Sequence, residues 1–350
     1  MSSEPTIRSG AILGALEALR AAGMDADGLL GEVGLDAAAI ASDPELAVPL
    51  RGFVALLELA AARMGAPRFG LRVGLAHRPA ALGVLGYVLV HSPDLGAAVR
   101  NLQRFVGAHQ QGAALTIEEA GDEVRIGYRL VDPTIQPRVQ DAELTIGVGV
   151  ALFRGLVGEG FHPRCVWLEH GAPADDAEHR ELLGCPVRFS MPTNAVVVDA
   201  ALLARPTRSP DPALLPILER HASRILEERA RASSLAEQVR AAVAERLRDG
   251  LPSAEDIARP LGLSAATLRR RLEEEGTTFR AELDAARHGL ALAYLDDPSL
   301  TISEVAFLLG YSDGTAFHRA FKRWTGETPR AHRQMAADSI GGDSITGGGT

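Results

Sequence analysis

Apolar positions along this chain change period twice, and each change marks a different kind of structure. In the first hundred residues they keep helical spacing. Ile12, Leu13, Leu16 and Leu19 form one face that Gly23 ends, and Leu29, Leu30 and Val33 start a second helix, so residues 4–40 predict two short helices. Asp43-Pro44 marks a turn. Residues 49–64 predict a helix with Phe53, Leu56, Leu57 and Ala60 inward, and Ser92-Pro93-Asp94 caps another that runs to about residue 106. Between these two, Phe69-Gly70-Leu71-Arg72-Val73-Gly74 and Leu82-Gly83-Val84-Leu85-Gly86-Tyr87 are rich in glycine. They lack the preceding strand and spacing of a dinucleotide fingerprint, so close helix packing is the expected use.

The period then falls to two. Residues 115–119 and 123–130 predict strands around an Ala120-Gly121-Asp122 hairpin. A helix over about 140–157, with Ala142, Ile146, Val150 and Phe153 inward, leads to three short strands at 165–170, 186–190 and 195–199. This order predicts an α+β domain over residues 10–205, not the run of strands of a cupin barrel. Pro-rich, polar residues 205–212 mark the expected boundary. A linker and connecting helix fill 206–232, and a purely helical domain is expected over 233–336. The tail from 337 to 350 is rich in Gly, Ser and Thr and is expected to be disordered.

Within the helical part, residues 300–333 predict helix, sharp turn, helix. Thr301 and Glu304 form a capping box, Val305, Ala306 and Leu309 make one apolar face, and Gly310 permits the turn. Ser312 or Asp313 then caps a second helix with Phe317, Phe321 and Trp324 on one side. Thr315, His318, Arg319 and Lys322 fall on the other side, which is what a major-groove reader needs and also what any solvated helix face looks like. A near copy lies 48 positions upstream. Asp256-Ile257-Ala258, Leu261-Gly262 and Ser264 recur as Glu304-Val305-Ala306, Leu309-Gly310 and Ser312. Leu268, Arg270 and Leu272 recur as Phe317, Arg319 and Phe321, shifted by one more. Ser253 to Asp256 is another capping box, and Pro260 falls late in the helix that follows it. In the upstream copy Ala265, Leu268 and Leu272 point inward, while Ala266, Arg269 and Arg270 point out. Glu273, Glu274 and Glu275 close that helix and would be repelled by phosphates.

This duplicated tail resembles the DNA-binding domain of the AraC/XylS family of bacterial transcription regulators, over about 233–334. The most specific match is Gly310-Tyr311-Ser312 through Phe317, Arg319, Phe321-Lys322, Gly326, Pro329 and Arg333. The resemblance implies that residues 279–295 form a rod joining the two units. It also implies base contacts from Ala266, Arg269 and Arg270 in one unit and from Gly314, Thr315, His318 and Arg319 in the other. Gly314 has no side chain to read with, and His332 stands where the family usually has a tyrosine. The order of the first 205 residues resembles the arabinose-binding-like effector domain carried by one branch of the same family. The matching pieces are Phe69-Gly70-Leu71, residues 83–87, His91-Ser92-Pro93 and Leu183-Gly184-Cys185-Pro186-Val187-Arg188-Phe189. By resemblance such a domain senses a small metabolite or lipid-like molecule and helps dimerise. Promoter DNA and RNA polymerase are the further partners it implies.

Composition adjusts this picture in two places. The net charge of −9 gives no support to DNA binding, and residues 251–337 hold 11 Lys/Arg against 12 Asp/Glu, net −1. Specificity therefore has to rest on where single charges point. Lys322 is the only lysine in the chain. Two cysteines, Cys165 and Cys185, argue against a disulfide framework, and no apolar run is long enough to span a bilayer, so a cytoplasmic protein with no membrane partner is expected. No HExxH, P-loop or CxxC occurs, and His162, Cys165 and His170 fit no zinc spacing, so neither an enzyme nor a metal or other cofactor is expected. Tyr87, His91, Arg104, His109, Arg125, Tyr128 and Trp167, polar or aromatic groups beside apolar stretches, are the candidates for effector contact. The sum is a DNA-binding regulator answering a small effector. The alternative is a constitutive regulator whose first domain is structural.

Overall fold

A computed structural model describes residues 5–132, 135–158, 161–232, 234–247, 250–295 and 300–333. The chain forms two compact units, Glu4–Glu228 and Arg229–Thr350. The tail expected to be disordered lies outside the described residues.

The first unit begins with β1 (Thr6–Arg8), α1 (Gly10–Ala21), α2 (Ala26–Glu32), α3 (Ala37–Ser42) and β2 (Ala47–Pro49). It continues with α4 (Leu50–Met64), α5 (Phe69–Leu75), α6 (Val84–His91), α7 (Leu95–Phe105), β3 (Ala113–Ala120) and β4 (Glu123–Leu130). Then come α8 (Val139–Val157), β5 (Cys165–Trp167), α9 (Ala177–Leu183), β6 (Val187–Arg188), β7 (Asn194–Asp199) and α10 (Leu215–Ala232). Carboxylates start three of these helices: Asp25, Asp36 and, at the expected cap, Asp94 accept from the first-turn amides of Gly28, Ala38 and Ala97. The main sheet runs β3-β4-β7-β5-β6, antiparallel except for the β5–β6 pair. Its expected hairpin is present, with Ala120 opposite Glu123.

Helix α8 is the core of this unit. It is apolar nearly all round and buries Leu144, Ile146, Val150, Leu152 and Phe153. The glycine-rich stretch packs α5 against it. A Cβ on Gly70 would overlap the Gln140 carbonyl, and one on Gly74 would overlap that of Leu144. Only glycine lets the two backbones come this close. The Gln140 side chain locks the contact by accepting from the Gly70 amide at 2.8 Å.

Three elements depart from the sequence expectation. The β1–β2 ribbon was not foreseen, because three-residue strands show no alternation to read. The turn at Asp43-Pro44 follows a third helix, α3, absent from the expectation. Helix α9 is likewise absent from the expectation, and Arg72 of α5 pairs with its Glu178.

The second unit holds α11 (Leu235–Arg246), α12 (Ala254–Ala258), α13 (Ala265–Glu274), α14 (Phe279–Leu295), α15 (Ile302–Leu308) and α16 (Gly314–Thr325). Two apolar clusters form its cores. Val239, Val243, Ile257, Leu268 and Leu272 build one, and Val305, Leu309, Phe317 and Phe321 build the other. Pro260 does not sit inside a helix as expected. Helix α12 ends at Ala258, so the proline lies beyond it, where it removes no helical bond.

Replacing Gly74 by valine is expected to destabilise the first unit by about 1–3 kcal/mol, because the new side chain must force α5 off α8. Thermal unfolding of the two proteins checks this.

Candidate nucleic-acid interface and effector cavity

The two helix-turn-helix units are copies in backbone as well as in sequence. Ser253 and Thr301 each cap their helix through a complete capping box. At the turn, the Leu263 amide donates to the Ala258 carbonyl at 2.9 Å, and the Tyr311 amide donates to that of Ala306 at 3.0 Å. Gly262 and Gly310 carry φ of +68° and +71°, the left-handed conformation that ends each helix and turns the chain toward the next. Ser264 and Asp313 then accept from the Thr267 and Ala316 amides and start the second helices, which settles the choice of cap left open between Ser312 and Asp313.

Counting from each helix start gives the same pattern twice. Positions two, five and six of α13 are Ala266, Arg269 and Arg270, and those of α16 are Thr315, His318 and Arg319. All are exposed except His318, which is half-buried with its ring 6.4 Å from that of Phe317. Lys322, three residues further along α16, is exposed as well. Arg269 has no hydrogen bond or ion pair among the described residues. Arg270 pairs with Glu274 at 2.7 Å, a contact between exposed groups that a phosphate or base can displace at a cost of about 0.3–0.5 kcal/mol. Glu275 turns away from this face. Its carboxylate accepts from the Leu235 and Ala236 amides, both at 2.9 Å, and so caps α11.

Helix α14 joins the two units. Its first half sends Leu283, Ala286 and Leu290 into one core, and its second half sends Ala291, Leu292 and Leu295 into the other. Ion pairs and hydrogen bonds fix both ends. Arg240 of α11 holds Glu282 at 2.7 Å, and Arg287 donates to the Leu309 and Gly310 carbonyls, both at 2.9 Å. The Arg287 guanidinium also lies 4.3 Å from the Tyr311 ring centre. At 1.5 Å per residue this rod is about 25 Å long. His332, at the family's tyrosine position, packs edge-on against Phe321 at 5.5 Å and keeps an aromatic contact there.

The first unit contains a cavity of about 100 Å³ between α8, the sheet and the helices before it. One face of α8 supplies Asp141, Leu144, Thr145, Val148, Gly149 and Leu152, at spacings of three and four. Opposite stand Phe53, Leu82, Leu85, Leu102 and Ile126. Polar groups converge at one end. Gln110 Nε2 donates to the Tyr128 hydroxyl, which donates to Asp141 Oδ2, each at 3.0 Å. Burial pushes the Asp141 carboxyl up to about 7, with Glu169 and Glu58 adding to the shift and the Tyr128 bond and Arg138 opposing it. Burial likewise raises the Tyr128 phenol and lowers the His77 imidazole at the cavity wall.

Of the candidates for effector contact, His109 and Tyr128 line this cavity. Tyr87 is 48% exposed, and the His91 Nδ1 bonds the Ser209 carbonyl at 3.0 Å. Arg104 lies over Phe105, and Arg125 lies over Trp167. None of these five is a lining residue. Asp141, Gln110 and His77 were missed. The legible signal was an aspartate, a threonine and a glycine in one stripe of an otherwise apolar helix. His170 faces Glu143 at 3.5 Å beside His179 rather than Cys165, and among the described residues no group of three His, Cys, Asp or Glu side chains could hold a metal ion. No described helix is long and apolar enough to cross a membrane.

A bipartite chain of this kind, with a cavity-bearing α+β unit and a duplicated helix-turn-helix unit, has the architecture of a DNA-binding regulator. Comparison with known proteins agrees. Residues 23–207 match the family described as the arabinose-binding domain of AraC transcription regulators, N-terminal, and residues 257–335 match a helix-turn-helix domain family. The transcriptional regulator VirS of Mycobacterium tuberculosis is 35% identical over 291 residues, covering 81% of this chain and 84% of VirS. The ornithine utilization regulator of Pseudomonas aeruginosa is 31% identical over 277 residues, 79% of this chain and 81% of that protein. The crystal structure of the regulator CdpR from Pseudomonas aeruginosa covers 87% of this chain and 96% of its own at 27% identity and a TM-score of 0.44. The chain belongs to the AraC family of DNA-binding transcriptional regulators, with an arabinose-binding-like first domain.

Raising the folded carboxyl of Asp141 above its unfolded value makes stability fall as pH rises. The cost is absent below about pH 4, where both states are protonated, and complete above about pH 7. Asp141→Asn should flatten this component of the pH dependence, worth on the order of a few kcal/mol, in urea unfolding followed from about pH 5 to about pH 8.

Proposed function

We propose that this protein binds two neighbouring major-groove segments of promoter DNA and that a small molecule in the α8 cavity controls that binding. The observation that carries the DNA reading is the matched set of outward groups on α13 and α16, on helices tied to one rod. Arg269, Arg270 and Arg319 are suited to guanine edges, His318 and Thr315 to further base contacts, and Ala266 to a thymine methyl. Lys322 would meet a phosphate. The acidic body of the chain leaves affinity to a few such contacts and makes it salt-sensitive.

Control by an effector is supported by the cavity's place in the fold. Val106 lines it, and Leu226 of α10 packs on the adjoining Gly107. A ligand that shifts Val106 would therefore act on α10, which runs as far as Ala232. The relatives named for regulation support a regulator. A DNA target places it in the cytoplasm, acting with RNA polymerase and as a homodimer.

Arg319→Ala should weaken binding to its own promoter fragment by about 1–3 kcal/mol and relax base preference, while Lys322→Ala should weaken all sequences alike and reduce the salt slope by about one. Quantitative gel shifts over a salt series check both. Unchanged affinity and base preference in Arg319→Ala would refute the assignment of α16. An effector should change DNA affinity through a coupling free energy of about 1–3 kcal/mol. If none does, the constitutive reading replaces it.

A further inference from the structure

The α8 cavity carries a charge pattern that selects among ligands. Asp141 is 2% exposed, and no cation touches it among the described residues. The group that bonds it is the Tyr128 phenol on β4, which the Gln110 amide and, along α8, the Thr145 hydroxyl contact in turn, all uncharged. Glu169 and Glu58 add negative field. The one arginine that opposes them, Arg138, is already held by Glu169 through contacts of 2.8 and 3.4 Å. Around the rest of the cavity the walls are aliphatic or aromatic, apart from His77 and His109. The Nε2 atom of His77 is buried there with no hydrogen-bond partner.

A buried carboxylate at the end of an apolar pocket lacks its counter-charge. An anionic ligand would add a like charge beside Asp141, Glu58 and Glu169 and would be repelled. A neutral apolar ligand would bury the acid further and leave it unpaired. An ammonium ion supplies the missing charge and offers three donors, which the Asp141 carboxylate can accept. Size sets a second limit: an apolar cavity of about 150 Å³ holds one benzene ring, so one of about 100 Å³ takes only a short aliphatic chain.

We infer that the effector of this protein is a small primary amine with a short aliphatic body, its ammonium paired with Asp141 and its body between Leu85, Leu102 and Phe153. The inference rests on the effector-binding reading of the first domain and names the chemistry that the domain accepts.

The test is calorimetric titration of the full-length protein with n-propylamine and n-butylamine, with n-butanol and butyrate as neutral and anionic matches. At about pH 8 an amine should bind at least about tenfold tighter than either match, since a charge-assisted bond is at stake. Its affinity should fall toward about pH 6 as the carboxyl takes up a proton. Asp141→Asn should lose about tenfold or more in amine affinity. Gly149→Leu should abolish binding by filling the cavity without touching any charge, since a Cβ there would meet only Val196, at 3.8 Å. Equal or tighter binding of n-butanol or butyrate, unchanged amine affinity in Asp141→Asn, or no amine binding at all would overturn the inference. Gel shifts with and without each compound separate the two layers. An effector of another class that alters DNA affinity overturns the amine and leaves effector control standing. An amine that binds yet leaves DNA affinity unchanged keeps the site and overturns the control.

Discussion

Helix α14 is the constraint on which DNA recognition by this protein depends. Its seventeen residues are shared between two small cores, neither of which would close without it. Five- and seven-residue helices such as α12 and α15 are too short to be stable alone. They persist because each buries its apolar face in a core that α14 helps to build, α12 against α11 and α13, α15 against α14 and α16. The same sharing fixes the two readers with respect to each other. Arg287 strengthens this by clamping the Leu309-Gly310 turn to the rod, so the entry into α16 is positioned by α14 and not by its own short loop.

The first unit is organised by a comparable constraint at its own core. Gly70 and Gly74 bring α5 onto the start of α8 at backbone distance. This closeness holds the first turns of α8 in place, and those turns carry Asp141, Leu144 and Thr145 into the cavity. A buried carboxyl with no ion-pair partner is costly, and the fold keeps it through two hydrogen-bonded groups, Tyr128 and Gln110, from a strand and a loop distant in sequence. Such an arrangement is hard to justify by stability alone, which is why it points to a ligand.

The helical half was legible because its signals are local. Capping boxes, turn glycines and the spacing of Phe317 and Phe321 are fixed within four residues, and a repeat at 48 positions confirmed each against its copy. The same holds for the helix capped at Asp94 and the β3–β4 hairpin. What escaped was decided at long range or on too few residues. The β1–β2 ribbon has three residues per strand, and α9 sits in a stretch whose charges read as solvated. The cavity was harder still. Polar and aromatic residues were sought singly along the sequence, so Tyr87, Arg104, Arg125 and Trp167, which pack or lie exposed elsewhere, stood beside His109 and Tyr128. Asp141 looked like an ordinary first-turn acid. Its meaning came from the α8 stripe it heads, and from the strand that meets it.

The central claim is that one rod presents two reader helices to adjacent grooves of the same duplex. Hydroxyl-radical footprinting of the full-length protein on its own promoter tests it most directly. Two protected major-groove segments should lie on one face of the DNA, about 34 Å apart, with Arg269→Ala removing protection from one and Arg319→Ala from the other. A single protected segment, or two segments on opposite faces of the duplex, would contradict it.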